Sequence, residues 1–256
     1  EGGMREWGVG RGGSATNDGG AGIAEAMGYR CGEERGESLA AGGAALKVLA
    51  RIDDSKVYPA LLDATFEIAC DVNNPLSGDE GSAMVYSAQK GATPEQTDAL
   101  EDAMVHYASI LDAYAGRAVS EQPGAGAAGG IGAGLVAFVS ATLSPGFDLI
   151  AKACDLENQI RDCDLVITGE GKIDAQTGRG KVPSGVARLA EKYGKPIVGF
   201  FGTLDISAGD TVSARFAEVI AIDMLAADRA DAMRNTAGYL VQAATSFARD
   251  GTGWLG

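Results

Sequence analysis

The chain has 256 residues, 46% of them hydrophobic, and a formal net charge of −14. That is enough apolar material for one large or two modest cores, and enough negative charge to repel a polyanion. With no Lys/Arg cluster interleaved with aromatics, nucleic acid is not an expected partner.

In chain order, the pattern predicts a helix over Leu39–Arg51, a strand over Phe66–Cys70 and a long amphipathic helix over Pro94–Ala115. Pro94 suits a first helical turn and Thr93 is its expected N-cap. A helix over Gly129–Leu143 follows, then a strand at Leu165–Thr168, a helix at Ser184–Tyr193 and strands at Ile197–Phe201 and Glu218–Ile222. A helix over Ala227–Arg249 comes last. This alternation predicts an α/β fold, and from Ala153 onward it is the order of a doubly wound sheet, with a domain boundary near Ala151.

Ile131 to Leu143, the longest nearly apolar stretch, is too short for a bilayer crossing, which takes about 20 residues, so no membrane span is expected. Glu1 to Trp7 shows no secretory leader pattern, which makes a cytoplasmic location the expectation. Cys31, Cys70, Cys154 and Cys163 form no Cys-x-x-Cys pair, so free thiols are expected. The one histidine, His106, lies inside the long helix and is read as a packing or surface residue, which leaves acid–base work to carboxylates and lysines.

Polar and acidic residues cluster just after the strands, where an open α/β sheet presents its ligand crevice. Phe66–Cys70 runs into Asp71-Val72-Asn73-Asn74, Leu165–Thr168 into Gly169-Glu170-Gly171-Lys172-Ile173-Asp174, and Ile197–Phe201 into Gly202-Thr203-Leu204-Asp205. Together they predict a crevice for a metal ion and phosphates, although turns after strands are commonly polar in any case. Gly12 to Gly22 combines flexible backbone with small hydrogen-bonding side chains, the composition of a phosphate loop. Two Gly-x-Gly-x-x-Gly matches, Gly8 to Gly13 and Gly124 to Gly129, lack a convincing preceding strand, and the second reads more simply as close helix packing. No Walker string and no protein-kinase set occurs.

The strings GGSATNDGGAG (Gly12 to Gly22), DVNNPL (Asp71 to Leu76), QKGAT (Gln89 to Thr93), GAGAAGG (Gly124 to Gly130), TGEGKID (Thr168 to Asp174) and GKVPSGVA (Gly180 to Ala187) resemble the glycerate kinase family in order and spacing. The resemblance implies a kinase that uses ATP and Mg²⁺ to phosphorylate a hydroxyl of D-glycerate. It further implies a Rossmann- or flavodoxin-like domain with a second α/β domain inserted into it. Residues 1–150 would then be the remainder of the inserted domain and 151–256 the C-terminal part of the flavodoxin-like one. About the family's first third, with its Asp-Ser-Phe-Lys motif, has no counterpart here.

On this resemblance Asp174 or Asp71 is the expected base, with Glu170 and the other aspartate near Mg²⁺. Lys90 and Lys181 are expected at the phosphates or the substrate carboxylate. Gly12, Gly13, Ser14 and Thr16 would line an anion site, with Asn17, Asp18, Asn73, Gln89, Gly169 and Gly171 contributing to substrate or nucleotide binding. Each also has an ordinary structural reading, such as a cap for Asn17 and Asp18. Two rival readings are an inactive fragment that still binds nucleotide and a dinucleotide-dependent oxidoreductase; a homo-oligomer is left open.

Overall fold

The computed structural model describes residues 5–10, 12–61, 63–173, 182–204 and 215–250. The chain divides into two compact units, Glu1–Leu149 and Ile150–Gly256.

The first unit begins with β1 (Glu6–Val9), α1 (Ala21–Ala26), β2 (Arg30–Gly32) and β3 (Arg51–Asp53). It continues through β4 (Thr65–Ala69), α2 (Ser82–Tyr86), α3 (Pro94–Ala115), α4 (Ala127–Val139), β5 (Thr142–Ser144) and α5 (Gly146–Ala153), which runs on past the unit's end. β1, β4 and β5 form a parallel sheet in the order β1-β4-β5, with Trp7 opposite Phe66 and Ala69 opposite Ser144. β2 and β3 form a separate antiparallel pair. In β4 the alternation turns Phe66 and Ile68 inward, where they pack with Leu135 and Ala141, while Trp7 stacks on Phe66 with ring centroids 6.1 Å apart. Strict period-two burial of this kind is what fixes a strand's register.

The main core of this unit gathers Leu46, Leu49, Leu76, Met104, Tyr107, Leu111 and Val119 around α3. α3 starts where the sequence says it should, because Thr93 and Gln96 form a capping box that satisfies two otherwise orphaned N–H groups. His106 sits on this helix with Nε2 2.7 Å from the carbonyl of Leu49.

Three of the sequence expectations need correction here. Leu39–Arg51 is not a helix: Gly42, at φ 102, breaks the chain, only Gly43–Val48 winds as a 3₁₀ segment, and Arg51 already belongs to β3. The helix expected over Gly129–Leu143 ends at Val139, because Ser140 turns left-handed and Thr142–Ser144 pairs with β4. Glu6–Val9, which reads poorly as a strand, is one, because β4 supplies the ladder.

The second unit contains α6 (Leu156–Asp162), β6 (Val166–Ile173), α7 (Val182–Lys192), β7 (Ile197–Leu204), β8 (Glu218–Ala221), α8 (Arg229–Arg234) and α9 (Thr236–Asp250). Its sheet is parallel, in the order β6-β7-β8. Gly169 to Ile173, expected as a loop after a short strand, continues β6, paired as far as Ile173 opposite Leu204. A Cβ on Gly202 would stand 2.3 Å from the carbonyl of Gly171, so the glycines here permit close approach of two strands. The C-terminal helix expected as one piece is two, interrupted at Asn235. The strand ends predicted to share one crevice also belong to different sheets: β4 to the first unit's, β6 and β7 to the second's. Among the described residues no helix is long and apolar enough to cross a membrane.

Candidate active site

In the first unit's sheet the strands run in the same direction, so β1, β4 and β5 deliver their following residues to one edge. β1 leads into the glycine loop, β4 into Asp71, and β5 into Pro145 and α5. A cavity of about 570 Å³ opens there, lined by Gly12, Gly13, Ser14, Asp71, Gln89 and Lys90 among others. The carboxyl edge of an open parallel sheet is where such folds place ligands, and the volume lies within the usual range for small-molecule sites.

Each wall has a local cause. The space beside Gly12 and Gly13 where a side chain would begin is open, and Gly13 has φ +65, so bare main chain faces the cavity. Ser14 Oγ donates to the carbonyl of Ala128 at 3.1 Å. This ties the loop to the non-helical first turn of α4, where Ala128, Gly129 and Gly130 are all left-handed, at φ 55, 75 and 88. An alanine in that conformation is strained. The loop is held again by Gly19 N–H donating to the carbonyl of Gly129 at 2.9 Å.

Asp71 is exposed, and its Oδ1 accepts from the Gly146 N–H at 2.9 Å, which seats the carboxylate at the start of α5. A Cβ on Gly146 would lie 3.0 Å from Asp71 Oδ2, so glycine gives the carboxylate room. Lys90 is half-buried and its Nζ donates to the carbonyl of Thr16 at 2.5 Å. Burial pushes its pKa below the ordinary lysine value, and the negative charge of Asp18 partly opposes that shift.

The structure thus brings Gly12, Gly13, Ser14, Asp71, Gln89 and Lys90 to one cavity. Thr16 stands next to it as the carbonyl that Lys90 grips. Asp18 directs its carboxylate to the N–H groups of Gly20 and Gly22, at 3.1 and 3.3 Å, and so caps the start of α1. Asn73 is exposed in the loop after β4. Its neighbour Asn74, not singled out from the sequence, fixes that loop by donating to the carbonyl of Glu80 at 2.8 Å and accepting from Tyr86 Oη at 2.6 Å. Tyr86 also lines the cavity, and burial raises its pKa. Asn17 is buried and lines a second cavity with Lys90. Gly169, Glu170 and Gly171 line a largely apolar cavity of the second unit, of about 790 Å³, with Leu165, Phe200 and Phe247. Asp174 and Lys181 lie outside the described residues. Sequence reasoning missed Ala128 because alanine carries no signal for a left-handed backbone, and missed Tyr86 because only folding brings it next to Asn74.

A family model described as "Glycerate kinase family" matches residues 1–251. The chain belongs to the glycerate kinase family. Among glycerate kinases it is 50% identical over 196 residues to one from Halalkalibacterium halodurans, covering 77% of this chain and 52% of that protein. It is 46% identical over 201 residues to a glycerate 2-kinase from Escherichia coli, covering 78% and 53%. A solved structure from Salmonella typhimurium LT2, assigned as a glycerate kinase 2, superposes with a TM-score of 0.74 at 43% identity, covering 85% of this chain and 56% of that one. The chain therefore spans about half the length of these relatives. The dinucleotide-dependent oxidoreductase reading is not favoured.

Proposed function

We propose that this chain carries the phosphate- and acceptor-handling part of a glycerate kinase, which moves the γ-phosphate of ATP to a hydroxyl of D-glycerate with Mg²⁺. The observation that carries the reading is the convergence of the open Gly12–Gly13 backbone, Asp71 and Lys90 on one cavity, in a chain of this family. Phosphoryl transfer needs little covalent chemistry from a protein; it needs positioning and charges that absorb the negative charge of the transferring group. Exposed main-chain N–H groups of the glycine loop would receive phosphate oxygens, and the ammonium of Lys90 would lie beside them.

The residues present fit Mg²⁺ in the manner it prefers. Asp71 Oδ1 is held by the Gly146 N–H, which leaves Oδ2 available, and among the described residues no three acidic, histidine or cysteine side chains gather. One protein carboxylate plus nucleotide phosphates and water is the usual environment of Mg²⁺. When bound, the ion would neutralise charge on the phosphates. Asp71 would serve as the metal ligand or as the base that orients the hydroxyl.

The test is ADP release from Mg-ATP with and without D-glycerate. It is run on the chain alone and on the Halalkalibacterium halodurans relative carrying this chain's sequence in place of the matching 196 residues. Glycerate-dependent release from the chain alone establishes the reading for this chain, and release only from the chimera restricts it to a part that needs its remainder. No release from either, with folded protein, rejects it.

A further inference from the structure

Three walls of the cavity at the strand edge come from separate parts of the chain: Asp71 follows β4, Tyr86 ends α2, and Ala127 and Ala128 belong to the first turn of α4. Asn74, half-buried and absent from the lining, connects all three. It stands three residues after Asp71 in the same loop. Its Oδ1 accepts from Tyr86 Oη at 2.6 Å, and its main-chain carbonyl accepts from the Gly126 N–H at 2.9 Å. Glycine is needed at that last contact, since a Cβ on Gly126 would stand 2.0 Å from the Pro75 carbonyl.

The direction of these bonds follows from the chemistry of the groups. Asn74 Nδ2 lies 2.8 Å from the carbonyl of Glu80, which can only accept, so the NH₂ must face Glu80 and the amide oxygen must face Tyr86. The turn that carries Glu80 is itself held, because the Gly78 N–H donates to Glu101 Oε1 on α3 at 2.6 Å and the Gly81 N–H donates to the Gly78 carbonyl at 2.7 Å. Tyr86 therefore gives its one proton to Asn74. Burial raises the pKa of the phenol, which keeps that proton in place at neutral pH. What the hydroxyl has left is a lone pair: a ligand hydroxyl or an ordered water can donate to it, and a phosphate oxygen cannot.

We infer that Asn74 is a positioning residue of this site, which fixes the Tyr86 hydroxyl as a hydrogen-bond acceptor and holds the loop after β4, α2 and the first turn of α4 in register around the cavity. Its part in turnover rests on the function proposed above.

Three variants test it. Asn74→Leu removes both side-chain bonds, and Asn74→Asp keeps an acceptor for Tyr86 but cannot donate to the Glu80 carbonyl. Tyr86→Phe removes one hydroxyl and leaves the ring, so it folds even if Asn74→Leu does not. In tyrosine-labelled chain the phenol carbon signal of Tyr86, identified by its loss in Tyr86→Phe, is expected to move in Asn74→Leu. Amide hydrogen exchange in residues 124–130 is expected to rise about tenfold or more in both Asn74 variants, with α3 unchanged. A residue that only stabilised the fold would speed exchange throughout the unit. Kinetics are read in whichever of the chain and the Halalkalibacterium halodurans chimera releases ADP. There kcat is expected to fall roughly tenfold in Tyr86→Phe and further in Asn74→Leu, with the KM for Mg-ATP changed less than about twofold. Because the two residues act as a unit, the double variant should be no slower than Asn74→Leu alone. An unmoved phenol signal, full kcat in Tyr86→Phe, additive losses, or faster exchange that spreads through α3 overturns the positioning role. No ADP release from either parent rejects the function proposed above, and the phenol signal and the exchange of residues 124–130 then decide alone whether Asn74 sets this wall.

Discussion

At the scale of single residues, Asp71 and Lys90 separate position from charge. Asp71 has one oxygen engaged by the Gly146 N–H at 2.9 Å, and an amide oxygen can take that place. Asp71→Asn is therefore expected to keep its stability within about 1 kcal/mol by urea denaturation and to lower kcat roughly 10²-fold or more. An unchanged kcat would remove Asp71 from the chemistry. Lys90 makes a pH prediction. Burial lowers its pKa below 10.5 in the folded chain, so the unfolded chain binds the proton more tightly. Stability linked to Lys90 accordingly rises with pH between the depressed value and 10.5, while the cation that the ligands need is lost over the same interval. The alkaline fall of kcat/KM is expected to begin below an ordinary lysine's range, and to move upward in Lys90→Arg, whose guanidinium stays charged. The same alkaline limb in both proteins would assign it to another group. Of these residues, Asp71, Lys90, Gly12 and Ser14 were legible as motif positions. That Lys90 grips the Thr16 carbonyl, and that Asn17 faces a different cavity from Gly12, was not, since neither contact has a trace in the local sequence.

At the scale of elements, what the sequence displayed depended on whether an element carries its own reasons for forming. Pro94–Ala115 reads cleanly because its cap, its N1 proline and its apolar period are all local. Gly169–Ile173 reads as a loop because its glycines argue against a strand, and the hydrogen bonds that overrule them come from β7, about thirty residues on. Leu39–Arg51 has helical spacing of leucines, but the glycines at 42 and 43 and the pairing of Arg51 with Gly32 shorten it to a 3₁₀ segment. The left-handed first turn of α4 is the segment on which the site depends most closely. Gly129 has φ +75, and a Cβ there would stand 2.1 Å from the Thr16 carbonyl and 2.9 Å from Lys90 Nζ. Gly129→Ala is expected to cost about 2–4 kcal/mol through left-handed strain and forced displacement of the loop. It should also weaken ligand binding beyond what stability explains. A loss below 1 kcal/mol in urea denaturation, with binding intact, would show that the loop does not rely on this close contact.

At the scale of the whole molecule the two units differ in how completely each covers its own apolar surface. The first has a capped 22-residue helix and a continuous cluster from Ala21 to Phe138 packed around Tyr107, Leu111 and Met104. In the second, β6 pairs on one side only among the described residues, Ile167 on it is 58% exposed, and a largely apolar cavity lies between that strand and α9. All-parallel sheets are ordinarily buried on both faces, and an edge strand with apolar residues opens easily. Local opening free energy follows buried contacts and the protection of backbone hydrogen bonds. Amide hydrogen exchange is therefore expected to be slowest in peptides from α3 and α4, and orders of magnitude faster in peptides covering Val166 to Ile173. Addition of Mg-ATP and D-glycerate should slow exchange in the Gly12–Gly22 loop, because the proposed ligands bridge groups of that loop to Lys90 and Asp71. Equal protection of β6 and α3 would mean that the second unit's sheet is covered in solution by something the described residues do not include. A glycine loop indifferent to saturating ligand would place the binding chemistry elsewhere.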